Sequence, residues 1–462
     1  MILRDYQQRL VAEANVAYRY LYNAPLVVLS TGGGKTVCFA QITKDAVADG
    51  LVVWIIAHRK ELINQASGKL NAFGVEHGII RAGEPKEYHR QVQVASIQTL
   101  TKRLKDGLCA PNVIIIDEAH HATAAGYQKI FSEYPDASLL GFTATPCRLN
   151  GAGLGTVFDH MILGPSNQWL TDNEFLAPAR YYAPPQKADL SKVHTARGDY
   201  VVNELEEVMD DGEITGDAVA HYKRICDGVP MLVFCVSVAH AHHVAAQYVA
   251  AGYRAAAVDG KLSDDERDER ISGLGNGRYQ IITSCDLIGE GLDVPSVSAV
   301  QLLRPTQSPA LHLQQIGRGL RPDDGKTHLT VLDHVGNTRK HGFASTDFKW
   351  SLEGLKKKSG EKPVATRTCE QCYSVHRTAK ECPFCGFVYP VKPRTLTAKK
   401  IIDGELVEVE QTAEERADEV RSARTHGELV AIAKARGYKR PAWWALKTLR
   451  GRSYVHLLPK IQ

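Results

Sequence analysis

Residues 29–37 of the chain read LSTGGGKTV, directly after an apolar run, and residues 113–120 read VIIIDEAH. Glycines that follow a strand let backbone N–H groups approach an anion closely, and a neighbouring lysine can reach the outer phosphates of a nucleotide. Thr31 opens this loop, Gly32, Gly33 and Gly34 fit the backbone role, and Lys35 fits the cationic one. The Thr36 hydroxyl would then face a Mg²⁺ ion that bridges phosphate oxygens. The stretch departs from G-x-x-x-x-G-K-[ST] at its first position, where the chain has Leu29, and an ordinary glycine-rich turn is the alternative to a phosphate loop. In VIIIDEAH an apolar strand presents Asp117 and Glu118 at its carboxyl end, where α/β sheets place their ligands. Asp117 would hold the metal through water, and Glu118 would orient and deprotonate the attacking water. A pair of acids capping a helix is the alternative, and the phosphate loop weighs against it.

A third cluster is CEQCYSVHRTAKECPFCGF, in which Cys369, Cys372, Cys382 and Cys385 follow C-x₂-C-x₉-C-x₂-C. Two close pairs of soft thiolates suit tetrahedral Zn²⁺, with His376 an alternative fourth ligand. Such a ribbon either touches nucleic acid or a protein partner, or staples a segment too short to build a core. The other six of the ten cysteines are scattered singly, which predicts reduced thiols and not a disulfide framework.

These residues need elements to position them. Apolar runs without polar alternation recur at 26–29, 51–57, 92–97, 113–117 and 138–145, each separated by an amphipathic segment. That pattern predicts strands buried on both faces, the parallel sheet of an α/β domain. The rhythm returns at 231–237, 255–260, 280–285 and 299–304, but only the first lobe has a phosphate loop. The predicted organisation is an α/β lobe at 1–150, a connecting segment at 151–220, a second α/β lobe at 221–345, a zinc ribbon at 365–390 and a basic helical tail at 410–462.

The net charge of +4 is unevenly spread: residues 351–462 hold 22 Lys+Arg against 13 Asp+Glu, so the excess of positive charge lies there. A basic tail suits a polyanion or is simply solvated. Its AIAKARGYKRPAWWALKTLRGR interleaves cations with Tyr438, Trp443 and Trp444, which would either stack on bases or form the core of a helical hairpin. No run approaches the ~18 apolar residues of a membrane span, and MILRDYQQRL lacks the apolar stretch of a signal peptide. A cytoplasmic protein is the expectation.

In order along the chain, these motifs resemble those of the superfamily 2 helicases of the DEAH-box kind. LRDYQ at 3–7 is similar to the adenine-recognising segment, which implies roles for Arg4 and Gln7. STGGGKT is a form of the phosphate loop common in that superfamily. AHRKELINQ at 57–65 and SIQTL at 96–100 look like segments that grip a nucleic-acid backbone, through Arg59, Ser96 and Thr99. DEAH with its His120, and TATP at 143–146 with Thr143 and Thr145, resemble the motifs that couple hydrolysis to movement. TSCDLIGEGLDVP at 283–295 and QQIGRGLR at 314–321 resemble those that close over the nucleotide. From them the resemblance implies Gly291 and Asp293 at the nucleotide, Thr283 and Ser284 at nucleic-acid phosphates, and Gln314, Arg318 and Arg321 in hydrolysis. Guanidinium groups delivered from the opposite lobe would stabilise charge on the transferred phosphoryl group by about 10³ to 10⁵ in rate.

The resemblance thus implies two tandem RecA-like lobes with a C-terminal zinc ribbon, and an ATP hydrolase using Mg²⁺. It narrows toward the RadD-like helicases of bacteria and phages, and so toward a DNA helicase or translocase acting on single-stranded or branched DNA in repair, recombination or replication. An RNA helicase, an annealing or remodelling protein switched by ATP, and a restriction-type motor subunit are the alternatives.

Overall fold

Long apolar runs lose least when both faces of the strand are covered, and the chain arranges them so in two sheets. The computed structural model describes residues 2–390 and 419–453, apart from 149, 184–192, 197–198, 210–211, 286–293, 347, 355–365, 421, 424 and 439. They fall into two units, Met1–Tyr389 and Pro390–Gln462.

In the first unit, one sheet comprises β1 (Pro25–Val28), β2 (Val53–Ala57), β3 (Gly78–Ile80), β4 (Val92–Ser96), β5 (Val113–Asp117), β6 (Ser138–Thr143) and β7 (His160–Leu163). All its pairings are parallel, in the order β3-β4-β2-β5-β6-β1-β7. Strands β1, β2, β4 and β5 are buried along their whole length, whereas the edges β3 and β7 are not. Helices α1 (Asp5–Val16), α2 (Lys35–Ala48) and α3 (Lys60–Ala72) bury Leu10, Phe39, Ile42 and Leu70 in a core with Ile55, Ile115 and Phe142. Trp54, Ile56, Ile114 and Ile116 point to a second core on the opposite face. The strand order sets the ends of β5, β6 and β1 side by side. The carboxylates, the TATP segment and the phosphate loop therefore share one sheet edge.

The second sheet contains β8 (Ala179–Tyr182), β11 (Met231–Phe234), β12 (Ala255–Val258), β13 (Ile281–Ser284), β14 (Ala299–Leu302), β15 (Leu329–Asp333), β16 (Thr366–Thr368) and β17 (Ser374–Arg377), while β9 (Thr195–Ala196) and β10 (Asp199–Tyr200) form a small hairpin of their own. Its order is β12-β13-β11-β14-β15-β8-β17-β16, parallel as far as β8 and antiparallel beyond.

The segment expected to be a mere connector is shared between the lobes. Its β7 closes the first sheet against β1, its β8 enters the second beside β15, and the helix Gly212–Cys226 buries Ala218 and Tyr222 in a core of the second sheet with Met231 and Val233. The four-cysteine hairpin, β16 with β17, extends that second sheet through β8.

In the second unit, helices His426–Ala435 and Pro441–Ser453 pack together around Leu429 and Ala445, with Ala423 in the same cluster and Trp444 against it. The first is started by a capping box in which Thr425 Oγ1 accepts from Glu428 N. Residues 410–418 of the expected tail lie outside the described residues. No helix among the described residues is long and apolar enough to cross a membrane.

Candidate active site

The end of β1 runs through Ser30 into the glycines and then α2. Gly32 (φ 84°) and Gly34 (φ 90°) take up the left-handed backbone that favours glycine. A Cβ at Gly34 would stand 2.3 Å from Gln7 Nε2, so a side chain here would displace the Gln7 amide from the loop. Gly34 is the N-cap of α2 and supplies no side-chain cap. The first N–H groups of a helix have no partner within it, so they remain available to an anion. The loop's outer wall is α1: Tyr6 Oη donates to Gly33 O (2.7 Å), Gln7 Nε2 lies 3.3 Å from the same oxygen, and Gln7 Oε1 accepts from Arg4 N (3.1 Å).

The carboxylates arrive from β5. Lys35 Nζ lies 3.6 Å from Glu118 Oε1, with both side chains largely buried. Glu118 has φ 51° and ψ 56°, a left-handed conformation uncommon in a non-glycine residue and of the kind held at functional sites. Burial, reinforced by the adjacent Glu118 charge and opposed by Lys35, pushes the Asp117 carboxyl up to about 6. Two acids held so close in a buried site suit a divalent cation.

From Glu118 a chain of contacts crosses to the other lobe. His120 Nδ1 is 3.4 Å from Glu118 Oε2 and 3.3 Å from Thr143 Oγ1. Thr143 Oγ1 accepts from Thr145 N and donates to Thr145 O, each at 3.1 Å. Gln314 Nε2, on the second-lobe helix Pro309–Gly317, donates to Thr145 Oγ1 (3.3 Å).

The same helix ends at the phosphate loop. A Cβ on Gly317 would meet Thr31 Cβ at 2.7 Å, and one on Gly32 would meet Arg321 Cγ at 3.4 Å. Arg318 and Arg321 thereby line one cavity of about 680 Å³ with Arg4, Gln7, Thr31, Gly32, Gly34, Lys35, Thr36, Asp117 and Glu118. Away from the cavity, Lys60 Nζ to Asp264 Oδ2 (2.9 Å) and Arg267 Nη1 to Glu61 Oε1 (3.1 Å) bridge the lobes.

Sequence reasoning missed part of the wall. Leu62, Gln65 and Lys69 on α3, and Ile2, also line the cavity. The α3 residues stand at i, i+3 and i+7, a face that helical periodicity could have flagged. Arg4 stacks over the Phe175 ring (4.4 Å), which packs on Tyr6, so a residue of the supposed connector orients the entrance.

The predicted nucleic-acid residues divide. Arg59 caps α3 after β2, and Ser96 ends the neighbouring β4 with Thr99 in the helix that follows. Gln98 ties the two segments, accepting from Ser96 Oγ (2.6 Å) and donating to His58 O (3.1 Å). Thr283 and Ser284 do not reach such a surface. Both are fully buried, and their hydroxyls donate to Ala241 O (2.7 Å) and Val258 O (2.8 Å), so they hold β13 to its neighbours. Gly291 and Asp293 lie outside the described residues.

The four cysteines converge, with all their sulfurs within 4.8 Å of one another. Two like turns present them. In each, a left-handed residue follows the second cysteine, Tyr373 (φ 60°) or Gly386 (φ 73°), and its N–H donates to the carbonyl of the first cysteine. Burial alone would raise the Cys382 thiol, but hydrogen bonds from Ser374 and the Phe384 and Cys385 amides hold it down to about 5. Four cysteine sulfurs gathered at this distance fit a zinc ion. His376 is engaged elsewhere, with Nε2 2.7 Å from Tyr389 Oη.

The chain is similar in sequence and fold to known proteins. The family model "Type III restriction enzyme, res subunit" matches residues 1–148, and "Helicase conserved C-terminal domain" matches residues 219–323. A "51.5 kDa protein" of Lactococcus phage (isolate 7-9) is 35% identical over 384 residues, 82% of this chain and 81% of that protein. The "Putative ATP-dependent helicase IRC3" of Saccharomyces cerevisiae is 30% identical over 358 residues, 72% of this chain but 52% of its own length. Among solved structures, the DNA-bound type ISP restriction-modification enzyme LlaBIII gives a TM-score of 0.55 at 18% identity, covering 72% of this chain and 28% of that one. RNA-bound Dbp5 of Saccharomyces cerevisiae gives 0.53 at 17% identity, covering 74% and 88%. The chain belongs to the superfamily 2 helicases. It is an ATP-hydrolysing enzyme of that superfamily, built on two RecA-like lobes.

Proposed function

We propose that the chain is a DNA translocase or helicase that turns ATP hydrolysis at the cleft between its lobes into movement on single-stranded or branched DNA. The observation that carries this reading is the convergence of Lys35, Asp117 and Glu118 from one lobe with Arg318 and Arg321 from the other on a single cavity. Only a closed pair of lobes has a complete site, so hydrolysis and relative movement of the lobes are linked.

The backbone amides of Gly32, Gly34, Lys35 and Thr36 and the Lys35 ammonium hold the β- and γ-phosphates, while the Gly33 N–H donates to Ser30 O (3.0 Å) and shapes the loop. Arg4 and Gln7 face the base. Asp117 and Thr36 would hold Mg²⁺, which when bound neutralises charge between the phosphate groups. Glu118 aligns the attacking water and takes its proton as the Lys35 contact gives way to the substrate. Arg318 and Arg321 stabilise charge on the departing phosphoryl group. The path His120–Thr143–Thr145–Gln314 passes the loss of the γ-phosphate to the second lobe.

Arg59, Ser96 and Thr99 line the track for one strand, reading phosphates and not bases. Cys369, Cys372, Cys382 and Cys385 bind zinc, which fixes the hairpin added to the second sheet and keeps the ribbon available to DNA or a protein partner. DNA is favoured over RNA by the restriction-enzyme character of the matched first lobe, by a DNA-bound fold neighbour of like character and by the basic C-terminal quarter. These features suit work in DNA repair, recombination or replication in a bacterial or phage-infected cytoplasm.

The test is steady-state ATP turnover without nucleic acid, with single-stranded DNA, with duplex DNA and with RNA of matched sequence, using Glu118→Gln as the blank. Stimulation by DNA above that by RNA, absent in the blank, is expected. Equal or greater stimulation by RNA would replace this reading with an RNA helicase, and no stimulation by either would refute a nucleic-acid motor.

A further inference from the structure

The loop that carries the two arginines is held by a lysine to which the mechanism above gives no part. After Arg321 the chain turns through Pro322, Asp323, Asp324 and Gly325, the last at φ 79°, and brings Lys326 back beneath the loop it has just left. Its ammonium donates to Gly319 O (2.6 Å) and Arg321 O (2.7 Å) on the arginine loop. It also donates to Val297 O (2.5 Å), with Pro295 O at 3.3 Å, in the segment entering β14. The carbonyl between the first two, Leu320 O, accepts from Ala177 N (2.7 Å). Three successive carbonyls beyond Arg318 are thus fixed, two of them by one side chain. Gly319 is pressed so closely on Leu329 that a Cβ would stand 2.3 Å from its Cδ1.

A surface lysine has no reason to spend its charge on backbone carbonyls. An ammonium has three protons and no acceptor capacity, so a ring of carbonyls is satisfied by it in the charged form and loses a donor when it is neutral. We infer that Lys326 is a positioning residue for ATP hydrolysis: it clamps the arginine loop to the segment before β14 and so sets where the Arg321 guanidinium stands over the phosphates. This rests on the assignment of Arg321 to the transition state proposed above. Lys326 does not line the cavity, so it acts through the loop and not on the nucleotide.

The electrostatics give it a signature. Burial, opposed by Asp323 and assisted by Arg321, brings Lys326 down to about 8. Those two are the charged groups that face it. Between about 8 and its ordinary 10.5 the unfolded chain binds more protons than the folded one, so the contribution of this group to stability grows with pH there. An alkaline loss of turnover in that window is therefore not unfolding through Lys326.

The experiment is single-turnover ATP hydrolysis, with single-stranded DNA present, by the full chain and by Lys326→Met, Arg321→Ala and the double variant. Lys326→Met is expected to slow hydrolysis by about 10- to 100-fold, the range for a displaced catalytic group, with the KM for ATP changed less than about twofold. Adding Lys326→Met to Arg321→Ala is expected to slow it no further. A Lys326→Met variant at the wild-type rate, or a double variant slower than Arg321→Ala by the full single-variant factor, would overturn the inference. Arg321→Ala at the wild-type rate would instead overturn the assignment of Arg321 itself. If Lys326→Met does not fold, the pH profile decides. Turnover by the wild type should fall above pH ~8, and Lys326→Arg, whose side chain stays charged, should lack that limb; the same limb in both refutes the clamp.

Discussion

Strand β1 of the first lobe and β11 of the second meet the helices that follow them in different ways, and on the proposed function the difference decides which lobe holds a nucleotide. In the first lobe β1 passes through three glycines to α2, whose N-cap, Gly34, offers no side chain. In the second, β11 passes through Cys235, Val236 and Ser237 to the helix Val238–Ala250, where Ser237 Oγ accepts from His240 N (3.0 Å) and donates to Glu206. Both helices have the same positive end. One is left open for an anion, and the other is closed by its own cap and a carboxylate from the connecting segment. The second lobe contributes its arginines from the far end of another helix instead. On the function proposed above, the two sheets would divide one reaction, the first binding and the second completing.

The comparison can be broken at several points. The largest effect is expected from Arg321→Ala, which should lower ATP turnover by about 10³-fold or more while ATP binding, measured by titration, changes little. Equal losses in binding and turnover would make Arg321 a part of the binding lobe's task.

Next comes the path between the lobes. Thr145→Val removes the hydroxyl that accepts from Gln314 and should reduce stimulation of turnover by DNA roughly tenfold, leaving the unstimulated rate within about twofold. Comparing the two rates in one assay checks this; a parallel fall in both would mean that Thr145 serves the chemistry directly.

A smaller and opposite change is expected from Asp117→Asn. The folded state holds the Asp117 proton to about 6 against an ordinary 3.8, so between those values it binds more protons than the unfolded chain. Stability of the nucleotide-free protein therefore falls as pH rises through that window. Asp117→Asn should flatten that slope and raise the melting temperature at pH 7 by roughly a few degrees, although it abolishes hydrolysis. Thermal melts from pH 4 to 7 would show it. Unchanged slopes would mean that Lys35 already compensates both acids.

The smallest effect belongs to the second lobe. Ser237→Ala should cost about 1 kcal/mol of stability, as lost N-caps do, without altering the KM for ATP. Denaturant unfolding beside a kinetic assay measures both.

Much of the site was legible because its chemistry is compressed into short stretches. GGGKT, DEAH and the paired cysteines each place several functional groups within one turn or strand end, so type and spacing suffice. The long buried strands were legible for the same reason, since continuous apolar runs such as VWIIA allow few alternatives. What escaped depends on the returning chain. The edge strands β3 and β7 and the interior strand β8 are short and partly exposed, and ARYY reads as connector until β15 is seen beside it. Thr283 and Ser284 match motif positions, but only the neighbours of β13 show that their hydroxyls face inward. Trp443 and Trp444 are adjacent in sequence, and only the packing of the hairpin puts Trp444 inside while Trp443 stays 62% exposed. Lys326 sits in a stretch that reads as a polar turn, and its role depends on carbonyls that precede it.

The measurement that bears most directly on the division of labour is equilibrium titration of Glu118→Gln with ATP and Mg²⁺ in the presence of single-stranded DNA. The account predicts one nucleotide bound per chain, lost when Lys35→Ala is added and retained when Ser237→Ala is added instead. A second nucleotide per chain, or binding that survives Lys35→Ala, would contradict it.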